Sequence, residues 1–297
     1  MTATLTAKLS RAVKRASPRP RGLAPATALR KTALAIALAS VAVVATAQNK
    51  PFEPQVGQEG KDVIWVPTPD GLVERMLRMA GVSSSDFVTD LGSGDGRTVI
   101  AAARNFGARA QGIEYNPDMV ELSKKNAAAA GVSDRATFMK ADIFEYDFSK
   151  STVVTMYLLT DLNMKLRPKL LDMKPGTRLV SHQFRMGEWE PDQTVAYDGR
   201  PAYMWIVPAK VAGNWQLVQG NDKRELVLGQ HFQSFGGVAR AGEVEHRLTA
   251  TSLRGAQISF ELPGPKGVGR RFVGRVDGDT MSGTGAGGNW TAKRAGS

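Results

Sequence analysis

The amino-acid sequence predicts an α/β fold: a doubly wound, Rossmann-like sheet followed by a C-terminal antiparallel all-β domain, either a meander or a small barrel. Two observations predict it. Across residues 63–184, short apolar runs alternate with segments of helical periodicity, as in parallel strands joined by crossover helices. After residue 209, helical periodicity disappears and short β-like runs are separated by glycine-rich turns.

These changes of pattern divide the chain into four parts. Residues 1–47 are expected to be a signal peptide or membrane anchor, and residues 48–62 a linker without periodicity. Residues 63–209 are expected to form the α/β domain, and residues 210–297 a β-rich accessory domain.

The α/β part follows a regular order of elements. Its first helix is predicted to have Thr68 as N-cap, Pro69 in the first turn and Gly81 as its stop. Strands are then predicted at 86–91, 108–115, 135–142, 151–159 and 176–184, with helices at 97–107, 117–131 and 161–173. Asn116 and Pro117 form the N-terminal signal of the helix at 117–131. The order strand, helix, strand predicts a parallel sheet.

The β-rich part begins with residues 202–218, which are expected to include the closing antiparallel strands of the first sheet. Six short runs follow, at 224–237, 243–255, 256–264, 270–278, 279–285 and 288–296. Trp215 near the start and Trp290 near the end suggest that the first and last strands of this part pair with each other.

The N-terminal 47 residues carry eight basic residues and no acidic one, and residues 32–47 are apolar and end in Ala-Thr-Ala. This order is that of a secretory signal peptide. An uncleaved membrane anchor, an organellar transit peptide and a misassigned start codon are alternatives. We therefore expect an exported, periplasmic or membrane-anchored protein, with a cytoplasmic location as the alternative.

Charge and composition exclude several classes of function. Most of the formal charge of +11 lies in the N-terminal segment, so a nucleic-acid partner is not expected. The chain has no cysteine, and His231 and His246 are isolated in sequence, so no metal site is expected.

A glycine loop, DLGSGDGR at residues 90–97, follows the first predicted strand of the sheet. Gly92, Gly94 and Glu114 fall at the carboxyl ends of strands, where ligands bind in such sheets. Glu114 lies 22 residues after Gly92, a suitable place for a carboxylate that holds ribose hydroxyls.

The loop fits a cationic nucleoside better than a dinucleotide. The dinucleotide fingerprint requires glycine or alanine at its sixth position, where this chain has Arg97. Asp90 and Asp95 would repel a pyrophosphate and attract an amino group and a sulfonium.

Three motifs, VTDLGSGDGR, GIEYNP and KADIFE, resemble those of class I S-adenosylmethionine-dependent methyltransferases. The resemblance implies that S-adenosyl-L-methionine is the cofactor, with Asp142 on its adenine amino group and Ile143 beside the ring. It implies a cofactor site made of Asp90, Gly92, Ser93, Gly94, Gly96, Glu114, Tyr115, Asp142 and Ile143.

Within that class, WVPTP, DLGSGDGRTVI and RLVSHQFRMGEW are similar to the membrane-tethered lysine methyltransferases of mitochondria that modify the adenine nucleotide translocase and the ATP synthase c-ring, and to their bacterial relatives. This similarity implies methyl transfer to an amine, with a protein lysine as the acceptor, and a membrane protein as a possible partner.

The residue that performs the chemistry is not evident from the sequence. The fourth strand ends in MYLLTDLN, without the N/D-P-P-Y motif or an acid-base pair. Tyr157 and Trp65 are the candidate catalytic residues. With Trp189 they are expected to border the cleft, where aromatic faces attract amines, and packing at a strand end is the alternative for each of the three. His182 is interpreted as a core residue.

The alternative function is an exported, non-catalytic protein that binds an adenosyl ligand and uses the β module to recognise an envelope ligand.

Overall fold

The computed structural model describes residues 52–263 and 269–296. Residues 1–47 lie outside this range, so the signal peptide and the membrane anchor remain predictions. Within the described part of the chain, no helix is long and apolar enough to cross a membrane.

The first sheet has seven strands and is flanked by four helices. Its strands are β1 (Phe87–Leu91), β2 (Arg109–Glu114), β3 (Ala136–Lys140), β4 (Val153–Met156), β5 (Arg178–His182), β6 (Gln193–Tyr197) and β7 (Arg200–Ile206). Its helices are α1 (Asp70–Met79), α2 (Arg97–Phe106), α3 (Pro117–Ala129) and α4 (Thr160–Leu171). The strand order is β3-β2-β1-β4-β5-β7-β6, with β1 to β5 parallel and the last two antiparallel. The predicted doubly wound sheet is confirmed, and the chain order reverses between β1 and β4.

The helix boundaries follow the predicted signals with one exception. Asn116 caps α3 by accepting hydrogen bonds from two backbone N–H groups, and Pro117 is its first residue. The prediction that Thr68 caps α1 is wrong, because Pro69 is the N-cap and no side chain caps this helix. The Thr68 hydroxyl is instead 3.0 Å from Nδ1 of the buried His182. A long-range contact has therefore replaced the local one.

The second sheet has nine antiparallel strands. They are β8 (Gly213–Gln219), β9 (Asp222–His231), β10 (Ser234–Ala241), β11 (Val244–Arg247), β12 (Thr249–Arg254), β13 (Gln257–Pro263), β14 (Gly269–Asp277), β15 (Thr280–Gly285) and β16 (Gly288–Arg294). Their order is β11-β10-β9-β8-β16-β15-β14-β13-β12, so the first and last strands pair as predicted. The edge strands β11 and β12 are joined by Leu248, whose N–H donates to Gly237 O at 2.9 Å. The sheet is thus a nearly closed barrel with Trp215 and Trp290 in its core.

Trp189 joins the two sheets. Its ring stacks on Phe232 with centroids 5.6 Å apart, and its Nε1 donates to Gln233 Oε1 at 2.8 Å. The side chain is fully buried. The expectation that Trp189 borders the ligand cleft is therefore wrong, because the barrel covers it.

We expect a chain that ends at Ala209 to keep the first sheet but to melt at a lower temperature, because Trp189 loses its cover. Full-length Phe232→Ala removes the stack alone and is the matched control. An aromatic pair contributes about 0.5 to 1.5 kcal/mol, so the control should melt only a few degrees lower. Circular dichroism with thermal melts measures both changes. A truncated chain without a folded sheet would show that the predicted domain boundary is wrong.

Candidate functional site

A cavity of about 360 Å³ lies at the carboxyl ends of β1, β2 and β4, beside the point where the chain order reverses. This is the usual ligand position in an open α/β sheet, and the volume falls within the range of small-molecule sites. Ten of the eleven residues singled out from the sequence line it: Trp65, Asp90, Gly92, Ser93, Gly94, Glu114, Tyr115, Asp142, Ile143 and Tyr157. Their individual roles remain predictions.

Gly96 is the one of these eleven residues that does not line the cavity. It is the N-cap of α2 with φ +83°. A Cβ here would come within 3 Å of the Phe138 ring and of Ser123 Cβ. The structure thus places Gly96 where the loop packs against the sheet behind the cavity.

Backbone N–H groups of the glycine loop anchor it to the neighbouring strand β2. The N–H groups of Gly92 and Ser93 both donate to Ile113 O, at 2.9 and 3.1 Å, which fixes the loop against β2. Gly94 has φ +53°, and a Cβ on it would lie 2.5 Å from Trp65 Nε1. This position requires glycine both for its backbone angle and for the close approach of a neighbouring group.

Glu114 ends β2 with both carboxylate oxygens fixed. Oε2 accepts a hydrogen bond from Gly94 N at 3.0 Å, and Oε1 accepts one from Asn116 N at 2.9 Å. A carboxylate has about four lone-pair positions, so each oxygen can still accept from a ligand hydroxyl. The structure therefore orients a carboxylate at the side of the cavity where the sequence predicts ribose recognition.

Asp90 is the buried carboxyl group of the site. It is 7% exposed and accepts a hydrogen bond from Thr155 Oγ1 at 2.6 Å. Burial, together with the negative charges of Asp95 and Glu114, raises the pKa of Asp90 to about 7. A positively charged ligand beside it would favour the ionised form.

Asp95 contributes less negative charge to the cavity than the sequence suggested. Arg97 Nη2 lies 2.6 Å from Asp95 Oδ2, and Arg97 Nε also donates to this carboxylate. Arg97 was not identified from the sequence as the partner of Asp95. Among the described residues, Asp90 and Glu114 line the cavity without a salt bridge, whereas Asp95 and Asp142 each have one.

Asp142 is paired with a lysine that sequence analysis did not single out. Asp142 Oδ1 accepts from Phe144 N at 2.9 Å, and Oδ2 accepts from Lys61 Nζ. The Lys61 ammonium holds the pKa of Asp142 below its usual range. Residues 58–62, interpreted from the sequence as part of a linker, therefore form part of the cavity wall. No periodicity marks this segment, and a pairing across 81 residues leaves no local pattern in the sequence.

Tyr157 lines the cavity and rests on His182. The two ring centroids are 3.8 Å apart, and the Phe184 ring stacks on Tyr157 with centroids 6.0 Å apart. Burial, and to a lesser extent Arg200, lowers the pKa of His182 to about 4, so its ring is neutral at physiological pH. Its Nε2 has no hydrogen-bond partner in the described part of the chain. The prediction that His182 is a core residue is consistent with its 1% exposure.

These features fit S-adenosylmethionine on grounds of shape and charge. The glycine loop lets a ligand approach the backbone, the Glu114 carboxylate suits two ribose hydroxyls, and the buried Asp90 suits a cationic group. Asp142 and Ile143 would hold the adenine. Fold and site together define a class I S-adenosylmethionine-dependent methyltransferase.

Comparison with known proteins places the chain within this class. Residues 90–193 match the ANTKMT methyltransferase domain. A protein-lysine N-methyltransferase of Saccharolobus islandicus is 42% identical over 151 residues, which are 49% of this chain and 94% of the archaeal protein. The ATP synthase C-subunit lysine N-methyltransferase of mouse is 34% identical over 48% of this chain, which spans 64% of the mouse enzyme. The chain therefore belongs to the protein-lysine N-methyltransferase family and is an S-adenosylmethionine-dependent enzyme.

A solved structure is also similar to part of the chain. It is described as an RNA methyltransferase from Salinibacter ruber in complex with S-adenosyl-L-homocysteine. It shares 52% sequence identity, covers 49% of this chain and 96% of its own, and superposes with a TM-score of 0.48.

We expect the affinity for S-adenosylmethionine to fall as the pH drops below about 7. Asp90 in the free protein is then protonated, and a cation binds more tightly to the ionised form. Well below the pKa of Asp90, affinity should fall by up to about tenfold per pH unit. Calorimetric titrations between pH 6 and pH 8 measure this dependence. Asp90→Asn should bind weakly at every pH and show a flatter profile, and an unchanged profile would contradict the assignment.

Proposed function

We propose that this enzyme transfers a methyl group to the side-chain amine of a lysine in a protein acceptor. The observation that carries the proposal is the aromatic wall of Tyr157 and Phe184 in the same cavity as Asp90. Aromatic faces attract an ammonium and provide an apolar surface for the methylene chain that carries it. The protein-lysine methyltransferases similar to this chain support the same acceptor.

The protein's main task in such a reaction is positioning. When bound, S-adenosylmethionine supplies a methyl group on a sulfonium, so that an N–C bond forms as the S–C bond breaks. The acceptor lysine must first lose a proton to solvent, and burial against an apolar wall lowers the pKa of its ammonium. Tyr157, packed against His182 and Phe184, would align the neutral amine and exclude water. No side chain needs to act as a strong base.

Exposed apolar side chains at the cavity support a macromolecular acceptor. Ile64, Val66, Tyr115 and Leu159 line the cavity, and their exposed fractions are 58%, 38%, 49% and 48%. Large apolar side chains clustered at a cavity edge are typical of a surface that another protein covers. A free small amine would leave these groups in water.

The acceptor and the enzyme are proposed to meet at a membrane. The support is the apolar segment at residues 32–47, with its basic flank, and the apolar rim of the cavity. Export, or anchorage through that segment, belongs to the same proposal. N-terminal sequencing of the mature protein and protease accessibility in spheroplasts test it, and an intact Met1 on a protease-protected protein would contradict export.

The acceptor is tested with the purified full-length protein, labelled S-adenosylmethionine and cell extracts separated into membrane and soluble fractions. We expect protease-sensitive label in a membrane protein, and methyl-lysine after acid hydrolysis. The ATP synthase C-subunit and the adenine nucleotide translocase, which appear in the names of the relatives, are defined acceptors to include. Tyr157→Ala should lose this activity while still binding the cofactor. Label removed by ribonuclease would overturn the lysine proposal.

A further inference from the structure

One segment covers the cofactor cavity and is held together by its own hydrogen bonds. We define it as the 57–65 segment. Gly57 N donates to Trp65 O and Trp65 N to Gln58 O, both at 2.9 Å, and Gly60 N donates to Val63 O at 3.0 Å. These bonds make a compact loop, and residues 58–65 all line the cavity.

The 57–65 segment meets the cavity at two points. Trp65 lies directly over Gly94 of the glycine loop. At the other point, the Lys61 ammonium is paired with Asp142 and lies 5.0 Å from the centre of the Tyr115 ring. The segment thus spans from the glycine loop to the position that the family motif assigns to adenine.

Lys61 occupies one acceptor position of the carboxylate to which the family motif assigns the adenine amino group. One oxygen of Asp142 accepts the backbone N–H of Phe144, which fixes the carboxylate, and the other accepts Lys61. The pKa of Lys61 is raised and that of Asp142 is lowered, in each case first because of this hydrogen bond. Both groups are therefore charged at neutral pH, and an incoming amino group must share or displace the ion pair.

We propose that Lys61 and the adenine of the cofactor compete for Asp142, so that cofactor binding releases the Lys61 ammonium. Lys61 then acts as a latch that holds the 57–65 segment over the cavity of the free protein. This inference rests on the cofactor site and is independent of which acceptor the enzyme methylates.

The expected size of the effect follows from the exposure of the pair. The Lys61 side chain is 36% exposed and that of Asp142 is 15% exposed. Partly exposed ion pairs contribute modestly, so removal of the latch should tighten binding about two- to fivefold. The effect should persist with adenosine, which is neutral, because it arises from competition at Asp142 and not from repulsion of a charged ligand.

The first test is calorimetry on the full chain with S-adenosylhomocysteine and with adenosine. We expect Lys61→Ala to bind both ligands about two- to fivefold more tightly than the wild type. Lys124→Ala is the matched control, because Lys124 is also paired with a carboxylate, Glu121, but lies on α3 away from the cavity lining. It should leave both affinities unchanged.

The second test follows the lysine itself without any catalysis. The protein is labelled briefly with an acetylating reagent, once without ligand and once with S-adenosylhomocysteine. Mass spectrometry measures the extent of acetylation of Lys61 and of Lys124 in each sample. We expect S-adenosylhomocysteine to increase the reactivity of Lys61 and to leave that of Lys124 unchanged. Slower labelling of Lys61 together with weaker binding by Lys61→Ala would make it a ligand of the cofactor and overturn the proposal. Unchanged affinity, or a protein that binds neither ligand, would overturn it as well.

Discussion

A Gly94→Val variant is expected to bind S-adenosylmethionine about a hundredfold more weakly than the wild type, a loss of about 2.7 kcal/mol. Gly94 has φ +53°, which a β-branched residue adopts only under strain. Its Cβ would lie 2.5 Å from Trp65 Nε1, so the added side chain must displace Trp65, which lines the cavity beside the glycine loop. Calorimetry measures the affinity, and the turnover should be lost with it.

Gly131→Val is the matched control for backbone strain. Gly131 has φ +68° after the end of α3, and nothing lies within 4 Å of the position of its Cβ. Both variants should lose thermal stability through backbone strain, and Gly94→Val somewhat more because its side chain also meets Trp65, whereas only Gly94→Val should lose the cofactor. Normal activity in Gly94→Val would show that the glycine loop is not the site.

The parts of this fold that were predictable are those specified by local pattern. Apolar runs and helix stop signals predicted the parallel strands and the helices between them. One such signal is Gly107, which has φ +68° at the end of α2. The glycine loop and Glu114 were found because a strand, a tight turn and a carboxylate follow at a characteristic spacing. The pairing of β8 with β16 was indicated by Trp215 and Trp290, both in the barrel core.

The parts that were missed depend on contacts between distant residues. Threonine is a common helix N-cap, but the Thr68 hydroxyl contacts His182, which lies 114 positions away in the sequence. Trp189 follows the fifth strand as a cleft residue would, yet the barrel covers it through Phe232. Lys61 stands in a segment without periodicity, and only the folded chain brings it to Asp142. A pairing that depends on tertiary position leaves no periodic signal in the sequence.

Glu114→Ala is expected to weaken S-adenosylmethionine binding at least tenfold. The carboxylate fixes Gly94 N and Asn116 N, and a lost charge-assisted hydrogen bond to a ribose hydroxyl costs about 1.5 to 3 kcal/mol. The control is Glu121→Ala, which removes an exposed carboxylate of α3 and should leave the affinity unchanged.

The loss in Glu114→Ala has two possible sources, a loosened loop and a missing ribose contact, and a thermodynamic cycle separates them. The wild type should bind S-adenosylhomocysteine at least tenfold more tightly than its 2′-deoxy analogue, because the analogue lacks one of the two ribose hydroxyls that would donate to Glu114. If the carboxylate holds the ribose, Glu114→Ala should bind the two ligands almost equally, since the contact is already lost. A variant that still discriminates as strongly as the wild type would assign Glu114 to holding Gly94 N and Asn116 N alone. The ribose would then have to be recognised by another group of the cavity wall.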